Sequence, residues 1–125
     1  MKYRVDKDSL GNVRIPATAY YGPFTARAQK QYHVTGRPAH ENLITAFVMI
    51  KRSAAVANIK TRAIDKRLGT TIISACDKIL SGRFHDQFVV DAINSGAGTV
   101  SLRLNKIATC IAVGNVSLLD CDMLT

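Results

Sequence analysis

Residues 41–80 read ENLITAFVMIKRSAAVANIKTRAIDKRLGTTIISACDKIL. In the first half Leu43, Ile44, Phe47, Val48, Ile50, Ala54 and Ala55 recur near the i, i+3, i+4 and i+7 spacing of one helix face, while Glu41, Lys51, Arg52 and Asn58 take the other positions. The pattern predicts an amphipathic helix of about four to five turns. Asp65 is placed to cap a second helix, in which Leu68, Ile72, Ile73, Cys76, Ile79 and Leu80 line one face and Gly82 sits where a C′ residue belongs. A helical hairpin is the expected main packing unit.

Towards the N-terminus, Tyr3-Arg4-Val5-Asp6-Lys7-Asp8 alternates apolar and polar, Ser9-Leu10-Gly11-Asn12 supplies turn residues, and Val13-Arg14-Ile15 alternates again before Pro16. This predicts a short β-hairpin. Tyr20-Tyr21-Gly22-Pro23 reads as a turn, Thr25 to Lys30 as a short helix entered from the proline, and His33 to His40 as loop. On the other side, Asp86 to Asp91 reads as an extended or loop segment, and Asn94-Ser95-Gly96-Ala97-Gly98-Thr99 as a Gly-rich turn that opens a further helix. The expected fold class is mainly α: a short N-terminal β-hairpin, a helical hairpin and a further helix.

The chain has 125 residues, 47% hydrophobic and 21% charged, which excludes a multidomain enzyme within this length and a disordered tail. With 6% aromatic residues and no Trp, the core must be packed through Ala, Ile, Val and Leu. Met1-Lys2-Tyr3-Arg4-Val5-Asp6 runs straight into charges without an apolar stretch, so a cytoplasmic location is expected. Ile107 to Leu119, the longest weakly polar run, is several residues short of the roughly 20 that span a bilayer. Cys76, Cys110 and Cys121 match no zinc spacing and read as reduced thiols.

The net charge of +8 is unevenly placed: residues 1–99 hold fifteen Lys and Arg against seven acids, whereas Arg103 and Lys106 balance Asp120 and Asp122 in residues 100–125. Lys51-Arg52, Lys60, Arg62 and Lys66-Arg67 form a basic band that reads first as a solvated helix face, and nucleic acid is not an expected partner, because no aromatic residue is interleaved with it. His33, His40 and His85 lack metal-ligand spacing and are expected at the surface, and no metal site is expected. The Gly-rich turn is the best candidate site. Gly96 and Gly98 allow the backbone to turn and expose consecutive N–H groups, and Thr99 adds a hydroxyl, so the turn could hold a carboxylate or phosphate. Gly-x-Gly-Thr is shorter than a P-loop and lacks its Lys, so on chemistry alone a purely structural turn stays open.

The order of short motifs is more specific. Asp8-Ser9-Leu10-Gly11, Ile15-Pro16, Ala19-Tyr20-Tyr21-Gly22 with Thr25-x-Arg27-Ala28, Gly36, Lys51-Arg52-Ser53-Ala54-Ala55 with Asn58, Asp86-Gln87-Phe88-x-Val90-Asp91 and Gly96-Ala97-Gly98-Thr99 follow in turn. From about Lys7 to Thr99 the chain resembles the N-terminal region of the aspartate ammonia-lyase and class II fumarase superfamily. The resemblance implies a fumarate-forming lyase that eliminates ammonia from aspartate or water from malate, without an organic cofactor, in a homotetrameric family. It implies a small dicarboxylate substrate, with Thr99, Gly98 and Ala97 in contact with a substrate carboxylate. Tyr20-Tyr21-Gly22 and the Gly96 to Thr99 turn stand closer to the aspartase wording than to the fumarase one.

Departures set further expectations. Where the superfamily continues with Asn-Met-Asn-x-Asn-Glu, this chain has Val100-Ser101-Leu102-Arg103-Leu104-Asn105, with Asn94 in place of a usual Gln and Phe24 in place of a frequent one. Residues 1–99 are therefore expected to form a lyase-like domain, and residues 100–125 a divergent tail, produced by a change of reading frame or beginning a truncated central helix. Superfamily subunits are several times longer and carry the catalytic Ser loop beyond the matched region, so no catalytic residue is assigned and a truncated form inactive alone is expected. The alternative is a small basic helical module that binds an anionic partner or a full-length paralogue.

Overall fold

The structure, a computed structural model, describes residues 1–93. The expected Gly-rich turn, the helix after it and the 100–125 tail lie outside the described residues. Strand β1 (Tyr3–Asp8) pairs antiparallel with β2 (Gly11–Pro16), from Tyr3 opposite Pro16 to Asp8 opposite Gly11. Helix α1 (Pro23–Gln31), helix α2 (Glu41–Lys60) and helix α3 (Lys66–Leu80) follow, and α2 and α3 form the expected antiparallel-type hairpin. No described helix is long and apolar enough to cross a membrane.

The helix ends follow backbone hydrogen-bond demand. Asp65 accepts from the N–H groups of Arg67 and Leu68 (2.7 and 3.4 Å), which caps α3 as its sequence predicts. At the other end, Gly82 takes φ +90°, its N–H reaches the Ile79 carbonyl (2.9 Å), and the Arg83 N–H reaches that of Lys78 (3.2 Å). This paired closure satisfies two carbonyls that the last helical turn leaves open. Helix α2 closes in the same way, with Arg62 N–H on Ile59 (3.1 Å) and Ala63 N–H on Asn58 (2.9 Å), but its left-handed residue is Arg62 at φ 60°.

Burial corrects two sequence expectations. Of the residues predicted to line one face of α2, only Ile44, Val48 and Ala55 are buried and Phe47 is half-buried, whereas Leu43, Ile50 and Ala54 are exposed. Ile50 keeps 66% of its surface, because the apolar residues of α2 occupy two opposite faces and only one meets α3 and the core. On α3, Cys76 and Ile79 are buried, whereas Leu68 and Leu80 are exposed at its ends. In the hairpin, β1 turns its polar residues inward and leaves Tyr3 and Val5 exposed, while Val13 and Ile15 of β2 enter the core.

The inward face of β1 is tolerable because each group finds partners. Arg4 donates to the carbonyls of Pro16 (3.1 Å), Ala19 (2.7 Å) and Tyr21 (2.8 Å) and pairs with Asp6 at 2.9 Å. Arg27 of α1 grips Asp8 through two nitrogens (2.8 and 3.0 Å) and donates to the Gly11 carbonyl at 3.1 Å. The hairpin, the turn after it and α1 are thus locked by two guanidinium groups. The core they cover joins Val13, Ile15, Tyr21 and Ala28 to Ile44, Val48, Cys76 and Ile79, and is completed by Phe88 and Val90.

Candidate functional site

The predicted substrate-binding residues Ala97, Gly98 and Thr99 lie outside the described residues, but the chain leading into them is fixed in detail. Phe88 and Val90 are almost fully buried, and the extended segment they belong to lies antiparallel to residues 37–39. Ala39 N–H donates to the Val90 carbonyl (3.2 Å) and Ala92 N–H to that of Arg37 (2.8 Å). Between these bonds the Asp91 carboxylate accepts four more: Thr35 Oγ1 (2.8 Å) and Ile93 N–H (2.9 Å) on Oδ1, Thr35 N–H (2.8 Å) and Gly36 N–H (2.9 Å) on Oδ2. These donors, the Ile93 N–H foremost and then those of Thr35 and Gly36, hold its pKa well below the usual carboxylate range against the opposing cost of burial.

At the start of the stretch expected to be extended or loop, Asp86 and Gln87 join His85 in a single 3-10 turn, His85–Gln87, entered through Phe84 at φ 65°. The turn brings two of the sequence motifs together. Gln87 Oε1 accepts from Tyr20 N–H (2.9 Å), its Nε2 donates to Asp86 (2.8 Å), and the rings of Tyr20 and Phe84 meet edge-on at 5.4 Å. His85 departs from the surface expectation: it is half-buried, with Nε2 3.1 Å from the Ile79 carbonyl and its ring edge-on to Phe88.

A half-open cleft of about 270 Å³ lies against Asp91, lined among others by Tyr32, His33, Arg37, His85 and Asp86. His33 and His85 therefore share a cleft, while His40 stands apart as the N-cap of α2, its Nδ1 accepting from Asn42 N–H at 3.1 Å. Among the described residues, no group of three or more His, Cys, Asp or Glu could hold a metal ion. The basic band is interrupted, since Arg52 is spent on Asp77 of α3 at 2.7 Å. Burial pushes the Cys76 thiol up, away from the reactive thiolate.

Two features of this region escape sequence reasoning. Asp91 anchors a loop 55 and 56 positions earlier in the chain, and nothing local announces that partner. His40 caps a helix although it is not among the preferred capping residues; the one available signal is its position directly before Glu41 and the apolar period.

A protein-family model described as lyase matches residues 11–119. The aspartate ammonia-lyase of Bacillus subtilis is 44% identical over 104 residues, 83% of this chain and 22% of its own length. That of Escherichia coli is 36% identical over 114 residues, 88% of this chain and 24% of its own. Among solved structures, class II fumarase from Schistosoma mansoni superposes with a TM-score of 0.79 at 29% identity, over 89% of this chain and 24% of that one. Fumarate lyase:delta crystallin from Brucella melitensis, in a crystal bound to cobalt, gives 0.77 at 35% identity, over 90% and 25%. The chain thus spans about a quarter of the length of the relatives it matches. A family match over most of the sequence, with a superposition on a class II fumarase over 89% of it, means that the chain belongs to the fumarase/aspartase lyase superfamily and corresponds to its N-terminal region.

Proposed function

We propose that the chain is the N-terminal portion of a fumarate-forming lyase, acting on aspartate, in which Thr99, Gly98 and Ala97 hold a substrate carboxylate. The reading is carried by the 44% identity with an aspartate ammonia-lyase, within a family match that spans the Gly96-Ala97-Gly98-Thr99 turn. The chemistry is an anti-elimination: a base takes the β-proton, negative charge builds on the adjacent carboxylate, and ammonia departs as the double bond forms. The demand at the carboxylate is for donors already in place, which two or three backbone N–H groups and a hydroxyl supply. The wording of Tyr20-Tyr21-Gly22 and of the turn favours aspartate over malate.

The base and the remaining carboxylate donors are, by the resemblance, drawn from parts of the superfamily subunit that these residues do not span and from neighbouring subunits of a homo-oligomer. The chain by itself is therefore expected to form no fumarate from aspartate or malate, followed by ultraviolet absorbance; clear turnover would refute this part of the reading. The positive part is tested by grafting. Residues 1–99, put in place of the matching segment of the Bacillus subtilis aspartate ammonia-lyase, should leave an enzyme that still makes fumarate from aspartate. An assembled, folded graft without turnover would contradict it. Divergence of residues 100–125 through a change of frame has its own test: another frame after the Thr99 codon should spell a segment like Asn-Met-Asn-x-Asn-Glu.

A further inference from the structure

We propose that the cleft beside Asp91 is a binding site for a small organic carboxylate, gripped at its carboxylate by Arg37 and laid by its apolar body against Pro38, Phe88 and Val89.

The open chemistry of the lining is that of a cation. Arg4, Arg27 and Arg52 each pair with an aspartate, and Arg14 lies over the Tyr3 ring at 4.9 Å. Among the described residues the Arg37 guanidinium has neither kind of partner. Its main chain, by contrast, is tied on both sides: the N–H donates to Thr35 Oγ1 (3.2 Å) and the carbonyl accepts from Ala92 N–H (2.8 Å). The root of the side chain is thus fixed while its donors stay open, which lowers part of the ordering cost of a two-pronged grip on a carboxylate. Neither acid of the lining pairs with Arg37. Asp91 spends both oxygens on the donors of Thr35, Gly36 and Ile93, and Asp86 accepts from Gln87 Nε2 at 2.8 Å.

The walls are set before a ligand arrives. Asp91 holds the loop of Thr35 and Gly36 against the segment that carries Phe88 and Val89, and the His85 ring is fixed by the Ile79 carbonyl (3.1 Å) and by Phe88. His33 stands over the same loop, where a β-carbon at Gly36 would come within 3.3 Å of its Nε2. Size narrows the ligand class. About 270 Å³ is the liquid volume of roughly nine waters at about 30 Å³ each, room for a short organic acid and too little for a nucleotide. The apolar wall excludes the other simple reading, because a fully hydrated inorganic anion would leave Pro38, Phe88 and Val89 unused.

The test titrates the full isotope-labelled chain with butyrate at constant ionic strength and follows amide shifts by nuclear magnetic resonance. Saturable shifts are expected at Gly36, Arg37 and Val89. Arg37→Gln, which keeps both main-chain bonds, should weaken binding about tenfold or more, the loss of one charge-assisted pair, with the amides of α2 and α3 unchanged. Arg62→Gln, which removes an exposed cation outside the lining, should leave it as it was. Butyramide, of the same shape without the charge, should give no saturable shift, and inorganic phosphate should bind more weakly than butyrate. Absent or unsaturable shifts with butyrate, equal binding by Arg37→Gln, shifts centred on Lys60 to Arg67, or phosphate binding as tightly as butyrate would each overturn the proposal. If Arg37→Gln fails to fold, butyrate against butyramide on the native chain decides alone.

Discussion

Arg62 ends α2 in the left-handed region at φ 60°, where a β-carbon crowds the backbone and glycine is the usual occupant. Arg62→Gly is expected to stabilise the chain by about 0.5–1 kcal/mol, read from the urea midpoint; an unchanged or lower midpoint would show that the Arg side chain earns its place. Asp8 and Asp91 set the acid limit of stability. Arg27 beside Asp8, and the N–H groups of Ile93, Thr35 and Gly36 around Asp91, hold both pKa values below the ordinary 3.8, although burial opposes them. As pH falls through that ordinary value the unfolded chain takes up protons that the folded chain still refuses. The stabilisation is therefore fully present above about pH 5 and is lost progressively as pH drops through the depressed folded values. Asp8→Asn lowers stability at neutral pH and flattens this acid slope, as urea midpoints measured across the acid range would show; an unchanged slope would mean that Asp8 is not its source.

At Gly69 helix α3 packs against the last turn of α2, so that a β-carbon there would fall inside the van der Waals shell of Ile59 and stand 3.1 Å from Ile64 Cδ1. Alanine improves helix propensity by about 1 kcal/mol, but overpacking costs roughly 1–3 kcal/mol, so Gly69→Ala should be neutral to destabilising by about 2 kcal/mol. The double substitution Gly69→Ala with Ile59→Val should recover part of it; no recovery would place the cost elsewhere. These helices, the β-hairpin, the Asp65 cap and the Gly82 closure are legible in the sequence because period, cap and turn chemistry act over a few residues. The inward polar face of β1, the Arg52 to Asp77 pair and the hydrogen bonds of Thr35 and Gly36 to Asp91 are not legible, because each depends on a partner that only the folded chain brings near. Phe84 at φ 65° is hidden for a related reason, since tertiary packing against Tyr20 overrides what a bulky residue prefers.

Across the whole molecule, Leu43, Ala46, Ile50, Ala54 and Ala57 form an exposed apolar stripe along α2, on the side away from Ile44, Val48 and Ala55. A helix apolar on two faces is usually covered on both, and the chain spans about a quarter of its relatives' length. The isolated chain is expected to self-associate with rising concentration in sedimentation, and Ile50→Lys to reduce that association without loss of helix; association unchanged by the substitution would point to another surface. The candidate site is legible only as the motif Gly96-Ala97-Gly98-Thr99, which lies outside the described residues, whereas the Asp91 hydrogen bonds to Thr35 and Gly36 depend on partners that only the folded chain brings near. On the proposed reading the Thr99 hydroxyl donates to the substrate carboxylate, and its removal is the direct test. In the grafted aspartate ammonia-lyase, Thr99→Val should lower kcat for fumarate formation by about 10²–10³ with assembly intact, whereas a fully active Thr99→Val graft would contradict the account.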